Sequence, residues 1–242
     1  TQFKPGDEVF TAIGQGGFAE YAIAREKGLM LKPANVSFEV AAAMPVAAAT
    51  ALYALREKGQ VQPGQKVLIN GASGGVGTFA VQLAKAFGAG VTGVCSTRNL
   101  EMARSIGADH VIDYTKEDFT RNGKQYDLII DIAANHSVPA YMRALTPNGT
   151  CVITGFSTLR HLFASALLGS IASRTGSKKF VHFIAKLSRK DMLLLKELLE
   201  EGKIVPVIDG TYPLSELPRA MRYFGVEHAR GKVIISVDHN GR

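Results

Sequence analysis

The sequence predicts an α/β protein in which a Rossmann-type, doubly wound parallel sheet is inserted into a smaller domain built from both chain ends. Three observations carry this prediction. From Val67 to Thr154, apolar runs too short to have a wet face alternate with helical spacing. The stretch VLINGASGGVG, Val67 to Gly77, runs from a strand into a helix through four glycines. After Gly202 the chain returns to the short strands and turns that fill its first 33 residues.

The elements follow in order. Pro5, Gly6 and Asp7 make a turn, Glu8 to Phe10 a strand, Gly14 to Gly17 a loop and Phe18 to Ala24 a further strand. From Ser37 the composition turns helical, and the alanines between Ala41 and Ala54 imply a closely packed, buried helix. Pro45 divides that stretch into a short helix and a longer one from about Val46 to Lys58, which Gly59, Pro63 and Gly64 end.

Val67 to Ile69 is then a strand, and Val76, Phe79, Ala80, Leu83, Ala84 and Phe87 set one apolar stripe on the following helix. Strands are expected at Val91 to Cys95, Val111 to Ile112, Leu128 to Ile132, Cys151 to Thr154 and Phe180 to Ile184. Helices are expected at Leu100 to Ile106, Val138 to Leu145 and, capped by Ser188, up to Glu201. His161 to Ala172 is apolar nearly all round and reads as helix or lid. Val205 to Ile208, Tyr212 to Leu214, a helix from about Ser215 to Phe224 and a strand from Val233 to Val237 complete the chain. The domain borders are accordingly placed at residues 1–36 with 205–242, and 37–204.

At 242 residues the chain is long enough for two modest domains, and 46% apolar with 20% charged residues is a globular composition. Lys and Arg exceed Asp and Glu by 28 to 21, a net charge of +7 that favours an anionic partner. The basic residues are scattered, and the densest group, Arg174 to Lys179 with Lys186, Arg189 and Lys190, has no interleaved aromatic platform, which argues against nucleic acid. Cys95 and Cys151 form no disulfide framework and suit a reducing compartment. No apolar run reaches the roughly 18 residues of a membrane span, and the start TQFKPGDEVF has no signal-like pattern, so the expected location is the cytoplasm.

In a tight strand-to-helix turn, Gly71 allows the bend, Gly74 lets backbone approach a pyrophosphate, and Gly77 lets the helix pack closely. The opening N–H groups of the helix, around Gly74, Gly75, Val76 and Gly77, then face an anion. A cofactor with a free ribose hydroxyl usually meets an acid at the end of the second strand, but VTGVCSTRN has none from Val91 to Asn99. Ser96, Thr97 and Arg98 supply donors and a positive charge there, which match a 2′-phosphate and therefore NADPH.

The whole chain resembles the medium-chain dehydrogenase/reductase superfamily, in its zinc-independent quinone oxidoreductase (zeta-crystallin-like) branch. The matching segments are FKPGDEVF, GGFAEYAIA, AAAMPVAAATALYAL, VLINGASGGVGTFAVQLAKAFGA, GADHVIDY, YDLIIDIAA and GKVIISV, in order from residue 3 to residue 237. The resemblance implies that the chain ends form a partial, mostly β GroES-like substrate-side domain. It also implies an NADPH-dependent reductase of a quinone or activated alkene, a homodimer with the Phe180 to Ile184 strand near the contact.

By the same resemblance Gly71, Ser73, Gly74, Gly75, Val76 and Gly77 fall on the pyrophosphate turn, and Ser96, Thr97, Arg98 and Tyr114 fall at the adenosine phosphate and ribose. Asn99 stands where related reductases can carry a lysine, which shifts the burden to Arg98. Thr50 falls beside the nicotinamide, Ala133 on the adenosine side, Gly155, Phe156 and Phe183 toward the nicotinamide, and Lys232 near the cofactor cleft. Complete members begin about 80 to 90 residues ahead of the FKPGDEV turn, enough to supply much of the substrate-side domain, so the chain is expected to be a fragment.

No metal site is expected: two cysteines cannot make a four-cysteine centre, and the six histidines show no ligand spacing. No side chain stands out as a general acid; Tyr53 reads as helix packing. Flat conjugated acceptors need no Lewis acid, and the cofactor carries the hydride step. Two other readings stay open on sequence: a zinc-dependent alcohol dehydrogenase-like enzyme, and a non-catalytic NADPH-binding sensor or interaction protein.

Overall fold

The structure is a computed structural model that describes residues 2–154, 169, 177–227 and 229–237. Its contacts divide the chain into two units, Thr50–Lys186 and Thr1–Ala49 with Leu187–Arg242.

The first unit is built on six strands: β3 (Lys66–Asn70), β4 (Gly90–Cys95), β5 (His110–Asp113), β6 (Tyr126–Asp131), β7 (Leu145–Ile153) and β8 (Lys179–His182). They lie in the order β5-β4-β3-β6-β7-β8, and every neighbouring pair is parallel. This is the doubly wound order, which winds outward in both directions from β3 and β6 and so reverses between them.

The buried strands read as continuous apolar runs because both faces are covered. Alternate residues go to opposite faces, and on one of them Leu68, Val94, Ile112, Ile129, Cys151 and Ile153 pack with Phe119 and Tyr141. Helix α3 (Gly75–Ala86) buries Phe79, Ala80, Leu83 and Ala84 as its spacing predicts. Helices α4 (Leu100–Ser105) and α5 (Val138–Ala144) join the other strands.

The alanine-rich stretch breaks where Pro45 predicts, into α1 (Phe38–Ala43) and α2 (Pro45–Leu52). It continues as a π-helical turn over Tyr53–Lys58, where the Gly59 N–H reaches the Ala54 carbonyl at 2.8 Å. A Cβ on Gly59 would lie 2.7 Å from Leu128 Cδ2, so this turn closes tightly onto β6.

The unit formed by the chain ends holds two short ladders. β1 (Val9–Phe10) pairs antiparallel with β2 (Met30–Leu31), and β9 (Ile208–Pro213) pairs parallel with β10 (Lys232–Ser236). Helices α6 (Arg189–Glu200) and α7 (Leu217–Val226) belong to the same unit. The Ser188 hydroxyl accepts from the Asp191 N–H at 3.1 Å, so the predicted cap forms, and Gly202 ends the helix at φ +68°.

Two expectations differ from the structure. Phe18 to Ala24 is not a strand: it belongs to no β-ladder among the described residues, and Tyr21 and Ile23 are 83% and 98% exposed. A strand needs a neighbour for its backbone groups, and β1 has taken β2 instead. The borders between units also fall elsewhere, at Ala49/Thr50 and Lys186/Leu187. Helix α1 packs on β10 and β1, Arg189 donates to the carbonyls of Lys27 and Leu29, and Asn35 donates to the Glu200 carbonyl at 3.0 Å. Those tertiary ties assign α1 and α6 to the terminal unit, whereas local sequence grouped them with the βαβ repeat.

Leu68 is fully buried at the centre of the sheet. Leu68→Ala is expected to lower unfolding stability by about 2–5 kcal/mol, read from urea denaturation, and a loss below about 1 kcal/mol would contradict this packing.

Candidate functional site

The glycine turn leaves β3 at Asn70. Gly71 takes φ +91°, a left-handed conformation that glycine adopts without steric cost, and its N–H bonds the Val94 carbonyl at 3.2 Å. The chain then folds back so closely that a Cβ on Gly77 would sit 2.0 Å from the Gly71 carbonyl oxygen and 2.9 Å from the Ala72 carbonyl carbon. Gly77 is therefore dictated by contact of the helix with its own turn, which refines the expected packing against the strand.

Gly74 is the cap residue of α3 and provides no side-chain cap. The first bond onto its carbonyl comes from Thr78 N–H at 2.9 Å, so the N–H groups of Gly75, Val76 and Gly77 precede the helical ladder. A bare helix start of this kind, with half-buried Ser73, Gly74, Gly75 and Val76 around it, fits the pyrophosphate of a dinucleotide.

Across the point where strand order reverses, β6 ends in a buried polar knot that the sequence reading missed. Asp131 is fully buried. Its Oδ1 accepts from Asn70 Nδ2 at 2.8 Å and from the Ala134 N–H at 3.0 Å, and Oδ2 accepts from the Tyr141 hydroxyl. Asn70 Nδ2 also donates to Asn135 Oδ1 at 2.9 Å. The knot holds Ala134 at φ +48° and brings Ala133 beside the glycine turn, where a Cβ on Gly71 would lie 3.5 Å from the Ala133 nitrogen. The signal available in sequence was the acid closing the apolar run LIID, a polar group at the end of a central strand.

Burial pushes the Asp131 carboxyl above its ordinary value, against the lowering effect of its three donors. Burial, and then the neighbouring Asp131, push the Tyr141 phenol up as well.

The residues expected on the adenosine side lie at the ends of β4 and β5. Ser96, Thr97 and Arg98 follow β4, with Ser96 half-buried and Thr97 and Arg98 exposed. Parallel register sets Asp113 opposite Cys95, and the Thr97 hydroxyl donates to Asp113 Oδ2 at 2.5 Å. The Thr115 hydroxyl and N–H meet Asp113 Oδ1 at 2.7 and 3.0 Å. These bonds, Thr97 foremost, hold the Asp113 carboxyl below its ordinary value. An acid thus does stand near the end of β4, supplied by the next strand, with both oxygens already accepting protein donors. Tyr114 follows it, 59% exposed, its N–H on the Cys95 carbonyl at 3.1 Å.

The remaining expected residues are spread more widely. Thr50 is half-buried on α2. Phe183 follows β8, its ring 5.2 Å from Tyr53, and Tyr53 is occupied by that contact and by Lys58 at 5.3 Å. Gly155 and Phe156 lie outside the described residues, as does the stretch 161–172 apart from Gly169. Lys232 opens β10 in the other unit, where burial lowers its pKa. Cys95 and Cys151 are buried thiols without a disulfide, and burial pushes Cys95 up to about 11. Among the described residues no group of three His, Cys, Asp or Glu side chains could hold a metal ion, and no helix is long and apolar enough to cross a membrane.

Strand order and glycine turn together define a dinucleotide-binding Rossmann unit. Comparison with known proteins narrows the class. Residues 106–235 match the family model described as zinc-binding dehydrogenase. The chain is 34% identical over 245 residues to the chloroplastic quinone-oxidoreductase QR1 of Triphysaria versicolor, covering 96% of this chain and 73% of that protein. It is 32% identical to the chloroplastic NADPH-dependent alkenal/one oxidoreductase of Arabidopsis thaliana, covering 96% of this chain and 58% of that protein. The structure of the quinone oxidoreductase from Coxiella burnetii superposes with a TM-score of 0.86 at 28% identity, over 98% of this chain and 74% of that one. The chain belongs to the medium-chain dehydrogenase/reductase superfamily, in its zinc-independent quinone oxidoreductase branch, and is an oxidoreductase with a fold for NAD(P)H.

Two outcomes are expected from this geometry. Gly77→Ala forces the Gly71 carbonyl out of place and should weaken nucleotide binding at least tenfold in a fluorescence titration; unchanged affinity would refute the contact. Asp131→Asn keeps an acceptor for Asn70 and Ala134, donates to the Tyr141 oxygen in place of accepting from it, and lacks the ionisable group. Because the folded carboxyl titrates above its ordinary 3.8, its contribution is full below that value and is lost as pH rises through the raised one. Wild-type stability relative to the variant should therefore fall with rising pH, by at most ~1.4 kcal/mol per pH unit. A gap that widens in favour of wild type toward neutral pH would contradict the burial assignment.

Proposed function

We propose that this chain is the NADPH-binding part of a reductase that delivers a hydride to a quinone or an electron-poor alkene. The observation that carries the reading is the Gly71 to Gly77 turn, held against Ala133 across the reversal of strand order. The N–H groups of Gly75, Val76 and Gly77 bind the pyrophosphate. Ser96 and Arg98 hold the ribose 2′-phosphate, an anion that their donors and charge suit better than a bare hydroxyl. Tyr114 flanks the adenosine, and Thr50 and Phe183 border the nicotinamide, a role that the family resemblance alone also gives Gly155 and Phe156. Lys232 is assigned to the cofactor cleft from the family resemblance alone.

The bound cofactor supplies the hydride; the residues of this chain bind and orient it and hold water away. The names of the relatives support the acceptor class, since one is a quinone oxidoreductase and another an NADPH-dependent alkenal/one oxidoreductase. A flat conjugated acceptor is already polarised toward hydride addition, which suits a site that relies on positioning. The assembly in this reading is a cytoplasmic homodimer acting on a small molecule, with neither nucleic acid nor membrane as partner.

Titration with NADPH and with NADH, followed by addition of a simple quinone, tests the proposal. NADPH is expected to bind more tightly, and Arg98→Ala to weaken NADPH about tenfold while leaving NADH within about twofold, the loss of one charge-assisted contact. Binding of neither nucleotide would overturn it, and equal losses for both would remove Arg98 from the phosphate site.

A further inference from the structure

Asn99 occupies the cap position of α4, where an asparagine side chain ordinarily bonds the first free N–H groups of a helix. It makes no such bond. Its side chain is 4% exposed and turns back, with Nδ2 donating to Ser73 Oγ at 3.1 Å and to Ser96 Oγ at 3.1 Å. One primary amide therefore ties the glycine turn to the end of β4. Asn99 Oδ1 is buried and has no hydrogen-bond partner. The opposite setting of the amide would bury two unmet donors in place of one unmet acceptor, so the observed setting is the cheaper.

The consequence lies in the serine protons. Each hydroxyl has one proton and two lone pairs, and Asn99 occupies a lone pair on both. Neither the Ser73 nor the Ser96 hydroxyl makes another hydrogen bond among the described residues, and both residues are half-buried. Both protons are thus left to point outward. Two oxygens each 3.1 Å from one nitrogen lie at most about 6 Å apart, a span that one phosphate group can bridge.

We propose that Asn99 is a specificity-determining positioning residue that presents the Ser73 and Ser96 hydroxyls as a pair of donors to a phosphate monoester on the cofactor's ribose. This rests on the NADPH reading above and adds a device to it: a neutral residue that fixes the polarity of two others. Thr97 is excluded from the pair because its proton is given to Asp113.

The test is calorimetric binding of NADPH, NADH, adenosine 2′,5′-bisphosphate and adenosine 5′-monophosphate to the full chain and its variants. Asn99→Asp has the same shape but accepts only, so it draws both serine protons inward. It is expected to weaken NADPH and the 2′,5′-bisphosphate at least tenfold and to leave NADH and the monophosphate within about twofold. Asn99→Ala, without the added charge, must move the ratio in the same direction. Ser96→Ala should lower NADPH affinity severalfold in the wild type and cause no further loss beside Asn99→Asp.

An unchanged NADPH to NADH ratio in Asn99→Asp, or equal weakening of both, overturns the proposal and leaves the reductase reading standing. Failure of the wild type to bind either nucleotide overturns both. Should Asn99→Asp fail to fold, Ser96→Ala decides: an unchanged ratio in that variant overturns the proposal.

Discussion

The junction of β3 and β6 depends on one buried carboxyl group. Asp131 accepts from a side chain of β3, from its own following backbone and from Tyr141 on α5. These bonds join the two strands between which the winding direction reverses, where no connecting segment bridges the gap. An unpaired charge there would be prohibitively costly, and burial accordingly favours its neutral form. The donors make the position tolerable and, in return, fix the backbone from Ile132 to Ala134, including a left-handed alanine that would not hold that conformation alone.

The glycine turn faces this fixed wall. Its shape is dictated by exclusion: Gly77 has no room for a Cβ against Gly71, and Gly71 has a backbone angle that side chains disfavour. The helix consequently begins with N–H groups that no side chain caps, an arrangement that costs stability unless an anion or water meets them. Next to it, Asn99 forgoes the capping bond its type favours and links the turn to β4. Two neighbouring helix starts thus give up local stabilisation at the same place, as expected where binding has overridden local preference.

An acid also stands at the adjoining ends of β4 and β5, with both oxygens already accepting protein donors. Asp113 stands beside the residue after β4, where Thr97 and Thr115 donate to both of its oxygens and hold its carboxyl below the ordinary value. Its charge is answered inside the protein by these donors.

The sequence by itself determined the alternation of strand and helix, the break at Pro45, the Ser188 cap and the glycine turn. Each of these depends on residues within a few positions of one another: apolar periodicity, a fixed proline angle, a side-chain oxygen three residues from an N–H, a missing Cβ. Tertiary structure alone decided the rest. Phe18 to Ala24 has strand composition but enters no β-ladder among the described residues, because a ladder is a property of two segments. Helices α1 and α6 join the terminal unit through contacts with β1, β10 and the carbonyls of Lys27 and Leu29. Asn70 and Asp131 meet across 61 residues, and Asn99 reaches Ser73 across 26. Long-range hydrogen bonds between ordinary polar residues leave no period or motif in a sequence, since only the folded register brings their atoms within bonding distance.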